Sequence, residues 1–214
     1  KLVPFPINLD TINTLYDDVK MSSEQMVEWL AERAVSFPEI LDSEDYIVSK
    51  VGWELYEKFF AGYTRKQWGM DASELDASVA ARIPFRTNRD DRYFTDKFQA
   101  MPRDGYTRLF ENLLDHENIT VELGSDFLDV RDEGGDQIIY TGAIDEFFHY
   151  RFGKLPYRSL EFEWETRGEE YAQNVATINY PSEEIPYTRQ TEYKHLTGQQ
   201  HAKTTLPGVL PKRG

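Results

Sequence analysis

The strongest constraint on this chain is a change of hydrophobic period along its length. From about residue 10 to 103 apolar positions recur at helical spacing, and from about 119 onward short stretches alternate as strands do. Ser22 and Gln25 form a capping box ahead of MVEWLAERAV. Ser43, followed by Glu44 and Asp45, opens a second helix whose apolar face runs through Val48, Gly52, Leu55, Tyr56, Phe59 and Tyr63. Asp71 with Glu74 repeats the box before a short helix that must stop near Pro84. GYTRLFENLLDH at 105–116 predicts a further helix. ITVEL and QIIYTG read as strands, with a DEGGD turn before the second. SLEFEWE at 159–165 has the pattern of a half-buried antiparallel strand. Segments 174–180 and 189–206 read as strands joined by an SEEIP turn, and 1–9, with its two prolines, suits an edge strand or extended entry. A helical cluster followed by a mostly antiparallel sheet is an α+β chain.

Charge narrows the partners. With 38 acidic against 24 basic residues the formal net charge is −14, a surface that repels nucleic acid and anionic lipid. No run approaches the roughly 18 apolar residues of a membrane span, so no membrane insertion is expected. The chain has no Cys, which excludes disulfides and thiolate chemistry and fits a cytoplasmic setting. Against this acidity, arginines set among aromatics stand out. In FFAGYTRKQWG, residues 59–69, large rings adjoin Thr64, Arg65, Lys66 and Gln67. The run reads either as a core helix stopping at a glycine or as a surface that stacks on a base or sugar. Arg82, Arg86 and Arg189 each suit a surface ion pair, but a planar guanidinium can also hold two phosphate oxygens at once. Tyr93, in RYF, could add a phenol to the same phosphates. His116, His149, His195 and His201 show no metal-ligand spacing, so no metal is expected. GxSxG, P-loop and GxGxxG motifs are absent, and no glycosidase-type carboxylate pair can be singled out.

The segments GYTRKQWG, ARIPFR, RYFTDKFQAMPRDGYTRLFENLL, IIYTGAIDEFFHYRFGKLPYRSLEF and IPYTRQTEYKHL, in that order, resemble the UDP-galactopyranose mutase family over residues 1 to about 205. The resemblance implies a helical bundle at 10–103, a returned segment of a Rossmann-like FAD domain at 104–142, and a twisted antiparallel sheet from 1–9 with 143–206, leaving 207–214 as a tail. It implies interconversion of UDP-galactopyranose and UDP-galactofuranose, with N5 of reduced FAD as the nucleophile. On that chemistry no protein side chain is the catalytic nucleophile, and the protein supplies binding and orientation.

Position by position, Tyr63 resembles the residue that stacks on uracil, with Phe59 and Phe60 beside it. Thr64 and Trp68 match residues lining the nucleotide-sugar cleft. Arg82 and Arg189 match the two arginines on the diphosphate, Tyr93 a phosphate donor, and Asn179 an asparagine near the galactose. Phe127, Thr141 and Gly142 fall where the family's flavin-domain segment approaches the cofactor. The family's Gly-rich FAD element and its carboxy-terminal portion are not matched. The expectation is therefore an internal fragment, inactive alone and without bound FAD, whose parent is the mutase and admits a homodimer. The alternatives are a non-catalytic nucleotide-sugar-binding or scaffold protein, or another flavin oxidoreductase of similar architecture.

Overall fold

The computed structural model describes residues 1–18, 20–130 and 137–212; the expected DEGGD turn at 132–136 lies outside them. Helices and a four-stranded antiparallel sheet make the chain α+β. It divides into two compact units, Lys1–Gln99 with Arg158–Arg213, and Ala100–Tyr157. These boundaries differ from the expected 104–142. Among the described residues no helix is long and apolar enough to cross a membrane.

The first unit is built on α1 (Leu9–Leu15), α2 (Ser23–Arg33) and α3 (Ser43–Tyr56). Ser22 and Gln25 close the expected capping box on α2. Asp42, one residue before the expected start, caps α3 by accepting from the Asp45 N–H. The buried core takes Ile7, Leu9 and Ile12 from the first segment, Met26 and Leu30 from α2, and Ile47, Val48, Val51 and Leu55 from α3. Residues 1–9 therefore do not join the sheet. Ile7 is fully buried in the helical core, and Asn8 caps α1 by accepting from the Asp10 and Thr11 N–H groups.

Helix α3 does not run smoothly into the aromatic segment. Gly52 interrupts it with φ 78°, and a π-helical turn at Glu57–Ala61 precedes α4 (Gly62–Trp68). One extra residue per turn re-aims the side chains that follow, and such turns recur at functional sites. A 3-10 turn at Ala72–Glu74, with the expected Asp71/Glu74 box, leads to α5 (Ala77–Ala81). Helix α5 ends at Ala81, close to the expected stop near Pro84, and residues 82–103 are irregular. Their main chain is tied elsewhere: the Arg86 N–H donates to Ile7 O at 3.0 Å, and Asn88 O accepts from the Leu9 N–H at 2.9 Å.

The sheet comprises β1 (Ser159–Arg167), β2 (Thr177–Asn179), β3 (Arg189–Thr191) and β4 (Thr204–Lys212), in the order β1-β4-β3-β2. The segment expected at 189–206 is two strands with a short helix, α9 (Lys194–Thr197), between them. The expected tail is mostly strand, because β4 pairs with β1 from Thr204 to Lys212. Pro207 and Pro211 are tolerated there. Odd-numbered positions of β4 turn toward β3, as the bond from the Thr188 N–H to Val209 O shows, and β3 pairs with Gly208 and Val209 alone. Strand β1 forms as expected but lies at the sheet edge, with Leu160, Phe162 and Trp164 exposed rather than half-buried.

The second unit carries α6 (Gly105–Leu114), α7 (Phe127–Val130) and α8 (Ile144–Phe147). The strands expected at 119–123 and 137–142 are irregular. A strand persists only when a neighbour completes its ladder, and no described residue pairs with either segment. Asp145 organises the 143–157 stretch, accepting from the Leu155 N–H at 3.0 Å and from Tyr157 Oη at 3.0 Å. The Leu155 bond is the main cause holding its carboxyl below the ordinary value of 3.8. A depressed carboxylate contributes stability above its unfolded pKa that is lost as pH falls through the folded one. The protection of the Leu155 amide relative to its intrinsic exchange rate should therefore fall as pH drops below about 4, beyond the change seen in Asp145→Asn; equal acid response in both proteins would remove Asp145 as the cause.

Candidate functional site

Helix α4, the start of the chain, the segment after α5 and the β2–β3 hairpin enclose an open cleft of about 1430 Å³. Phe59, Phe60, Tyr63, Thr64, Trp68, Arg82, Tyr93, Asn179 and Arg189 all line it. The fold brings them together from four separate stretches. The π turn and α4 carry Phe59, Phe60, Tyr63, Thr64 and Trp68 on successive turns. Arg82 stands at the C-terminal end of α5, where Ile83 N–H returns to Ala80 O at 2.9 Å and ends the helix. Tyr93, its ring edge-on to Phe94 at 4.9 Å, comes from the irregular segment beyond.

The hairpin supplies the opposite wall. Asn179 and Arg189 are direct cross-strand partners in the β2–β3 register, so both side chains project from one face. Arg189 Nη2 donates to Tyr63 Oη at 2.8 Å, joining the hairpin to α4. The cleft is lined by the cations Lys1, Arg82 and Arg189 and by one carboxylate, Asp91. Among the described residues neither Arg82 nor Arg189 forms an ion pair, although the chain carries a net charge of −14. Lys1 is neutralised by Asp17 at 2.6 Å. Arg86 is spent on structure: its guanidinium donates to the Asp90 and Arg92 carbonyls and does not line the cleft.

Phe60 has a double position. It is only 3% exposed and packs on Phe5 and Phe85 at 5.9 Å each, so it belongs chiefly to the core and braces the cleft from behind. Phe59, half-buried, meets Phe5 at 6.2 Å. Gly62 makes the close approach of the two walls feasible. A Cβ there would lie 2.4 Å from the Pro181 carbonyl oxygen, so only glycine lets the hairpin loop seat on α4.

Several lining residues carry no sequence signal. Phe5, Asp91, Ile178 and Tyr180 line the cleft without standing out in any motif. Tyr180 Oη donates to Gln190 Oε1 at 3.1 Å, and burial raises its pKa above that of a free phenol.

Phe127, Thr141 and Gly142 belong to the second unit. The Phe127 ring packs at 5.0 Å from Tyr140 and 5.9 Å from Phe147, while Thr141 and Gly142 are exposed. Among the described residues no strand leads through a Gly-rich turn into a helix N-terminus, the arrangement that holds a dinucleotide pyrophosphate. The residues present do not by themselves fit FAD. Nor do any three acidic or histidine side chains among the described residues converge as metal ligands.

A family model described as UDP-galactopyranose mutase matches residues 58–213, the stretch that contains every one of the residues expected at the site. A probable UDP-galactopyranose mutase of Klebsiella pneumoniae is 44% identical over 90% of this chain and 50% of its own length. A dTDP-fucopyranose mutase of Escherichia coli is 39% identical over 96% of this chain and 56% of its own. A UDP-galactopyranose mutase of Mycoplasma pneumoniae is 34% identical over 65% of this chain and 38% of its own. The chain spans about half the length of the curated relatives it matches.

Proposed function

The chain belongs to the UDP-galactopyranose mutase family, and on that premise we propose that its cleft grips the nucleotide of UDP-galactose while the sugar is interconverted between pyranose and furanose forms in the whole protein. The observation that carries this reading is the pair of guanidinium groups without carboxylate partners among the described residues, facing one aromatic-walled cleft in a strongly acidic chain. An anionic diphosphate is the complement such a site lacks, since an Arg fork matches two phosphate oxygens at once.

Tyr63 stacks on the uracil, with Phe59 beside it and Phe60 supporting both. Arg82 and Arg189 hold the diphosphate, and the Tyr93 hydroxyl donates to a phosphate oxygen. Asn179, opposite Arg189 in the hairpin, reaches the galactose, and Thr64 and Trp68 complete the wall on the sugar side. When bound in the whole protein, reduced FAD would supply the nucleophilic chemistry, and the residues described here do not by themselves hold it. Phe127, Thr141 and Gly142 are this chain's contribution near it, and the Gly-rich cradle is not among the described residues. What this chain does in the reaction is bind, orient and exclude water. By itself it is inactive.

The reading is tested on the purified chain by calorimetric titration with UDP, dTDP and uridine, and by its visible absorbance. UDP should bind at least about tenfold more tightly than uridine, since the diphosphate adds charge-assisted hydrogen bonds, and the preparation should lack flavin absorbance. dTDP belongs in the series because the similar Escherichia coli protein is named for a dTDP sugar. Equal affinity for UDP and uridine would defeat the diphosphate assignment, and stoichiometric flavin would defeat the claim of an incomplete cofactor site.

A further inference from the structure

A side chain that does not line the cleft ties its two walls together and has no place in the scheme above. Lys66, on α4, reaches under the loop that joins β2 to β3. Its ammonium donates to the carbonyl oxygens of Tyr180, Ser182, Ile185 and Tyr187, the last three at 2.8, 3.1 and 3.1 Å. An ammonium has three N–H donors, so four converging acceptors take up all of its hydrogen-bonding capacity. No carboxylate lies within ion-pair distance of it among the described residues, so the loop's own carbonyls solvate the charge.

We infer that Lys66 is a positioning residue for the diphosphate grip: it fixes the 180–187 loop against α4 and so sets Arg189, two residues beyond the last carbonyl it holds, opposite Tyr63. The inference rests on the UDP reading of the cleft. Other ties between the two walls are weaker candidates for this duty. The Arg65–Glu183 ion pair is about half exposed on both sides and of a kind that contributes little. The Arg189–Tyr63 bond is itself what must be placed. Lys66 is half-buried, and burial lowers its pKa, opposed by the charge of Glu183, so its ammonium is retained in this position by the carbonyls it satisfies. Gly62 allows the loop to come close, and Lys66 holds it there.

The test uses Lys66→Met, which keeps the stem and removes the donors, and Lys66→Arg, whose planar fork cannot converge on four carbonyls. In Lys66→Met, amide exchange across 180–188 should accelerate at least about tenfold while α1 to α3 keep their protection, the pattern of a local opening. UDP affinity should fall about tenfold with uridine affinity nearly unchanged, and Lys66→Arg should recover only part of it. In an Arg189→Ala background the same substitution should cost at most about twofold, because its effect passes through Arg189. Unchanged exchange at 180–188 in Lys66→Met overturns the inference whatever the ligand does. A full additional loss in the Arg189→Ala background also overturns it, since Lys66 would then act independently of Arg189. If the unmodified chain binds no UDP, the reading of the cleft fails separately, and the exchange measurement alone decides whether Lys66 sets the loop.

Discussion

Arg189→Ala is expected to weaken UDP binding by about ten- to a hundredfold, the range that removal of a hydrogen bond to a charged group implies. Three features set this expectation. The guanidinium enters the cleft from a strand end and has no carboxylate to compete with a ligand among the described residues. Its orientation is fixed by the Tyr63 hydroxyl at 2.8 Å, so little side-chain freedom is lost when a phosphate arrives. Its cross-strand neighbour Asn179 faces the same space, so a molecule held by one is presented to the other. Uridine affinity should stay within about twofold, because without the diphosphate the arginine has no anion to hold. Arg189→Lys keeps the charge and loses the fork, and should fall between the two. Rising salt should narrow the gap between the parent chain and Arg189→Ala, as screening weakens an open ion pair. A loss of the same size for UDP and uridine would mean that the substitution collapses the Tyr63 wall, and the phosphate role would have to be abandoned.

Much of the fold was legible because its signals are local. The Ser22/Gln25 and Asp71/Glu74 boxes need only residues three apart, and both form as their spacing predicts. The SLEFEWE alternation likewise places β1, since strand period is a property of the segment. Its burial was not legible, because that depends on what lies across the sheet, and β1 is an edge strand. The same dependence on partners explains 119–123 and 137–142, which alternate as strands do yet pair with nothing described. Pro207 and Pro211 hid β4, since a proline reads as a strand breaker until the direction of each missing N–H is known.

The site divides in the same way. Tyr63, Arg82 and Arg189 could be singled out by residue type against an acidic background. The adjacency of Asn179 and Arg189 is set by hairpin register and appears only in the folded chain. The role of Lys66 was hidden most completely: its partners are main-chain carbonyls 114 to 121 residues away, and a carbonyl carries no side-chain signature. Arg86 shows the converse. By residue type it matches Arg82 and Arg189, but beyond the end of α5 at Ala81 it folds onto the Asp90 and Arg92 carbonyls.

Gly52→Ala should be the most damaging single methyl that can be added to the helical core, lowering stability by about 3 kcal/mol or more. By sequence Gly52 sits on the apolar face of α3 between Val48 and Leu55, where alanine would ordinarily favour a helix. The backbone there has φ 78° and ψ 171°, a region essentially reserved for glycine and costing other residues about 1–3 kcal/mol. The added Cβ would also stand 2.5 Å from the Arg33 carbonyl oxygen at the end of α2. That oxygen is main chain and cannot swing away as a flexible side chain would. The contact is part of how α2 lies on α3, since the Val35 N–H donates to Val48 O at 3.3 Å just beyond it, and Met26 and Leu30 bury beside Val48 and Val51. Relief would require α2 to lift from the core it covers. Thermal unfolding followed by circular dichroism should show a midpoint lowered by about 6–12 °C, at roughly 2–4 °C per kcal/mol for a chain of this size. Glu28→Ala, on the exposed face of α2, should leave it within the scatter expected of a surface change, about 0.5 kcal/mol. An unchanged midpoint in Gly52→Ala would mean that α3 can straighten through the kink, and the close seating of α2 on α3 would then owe nothing to this glycine.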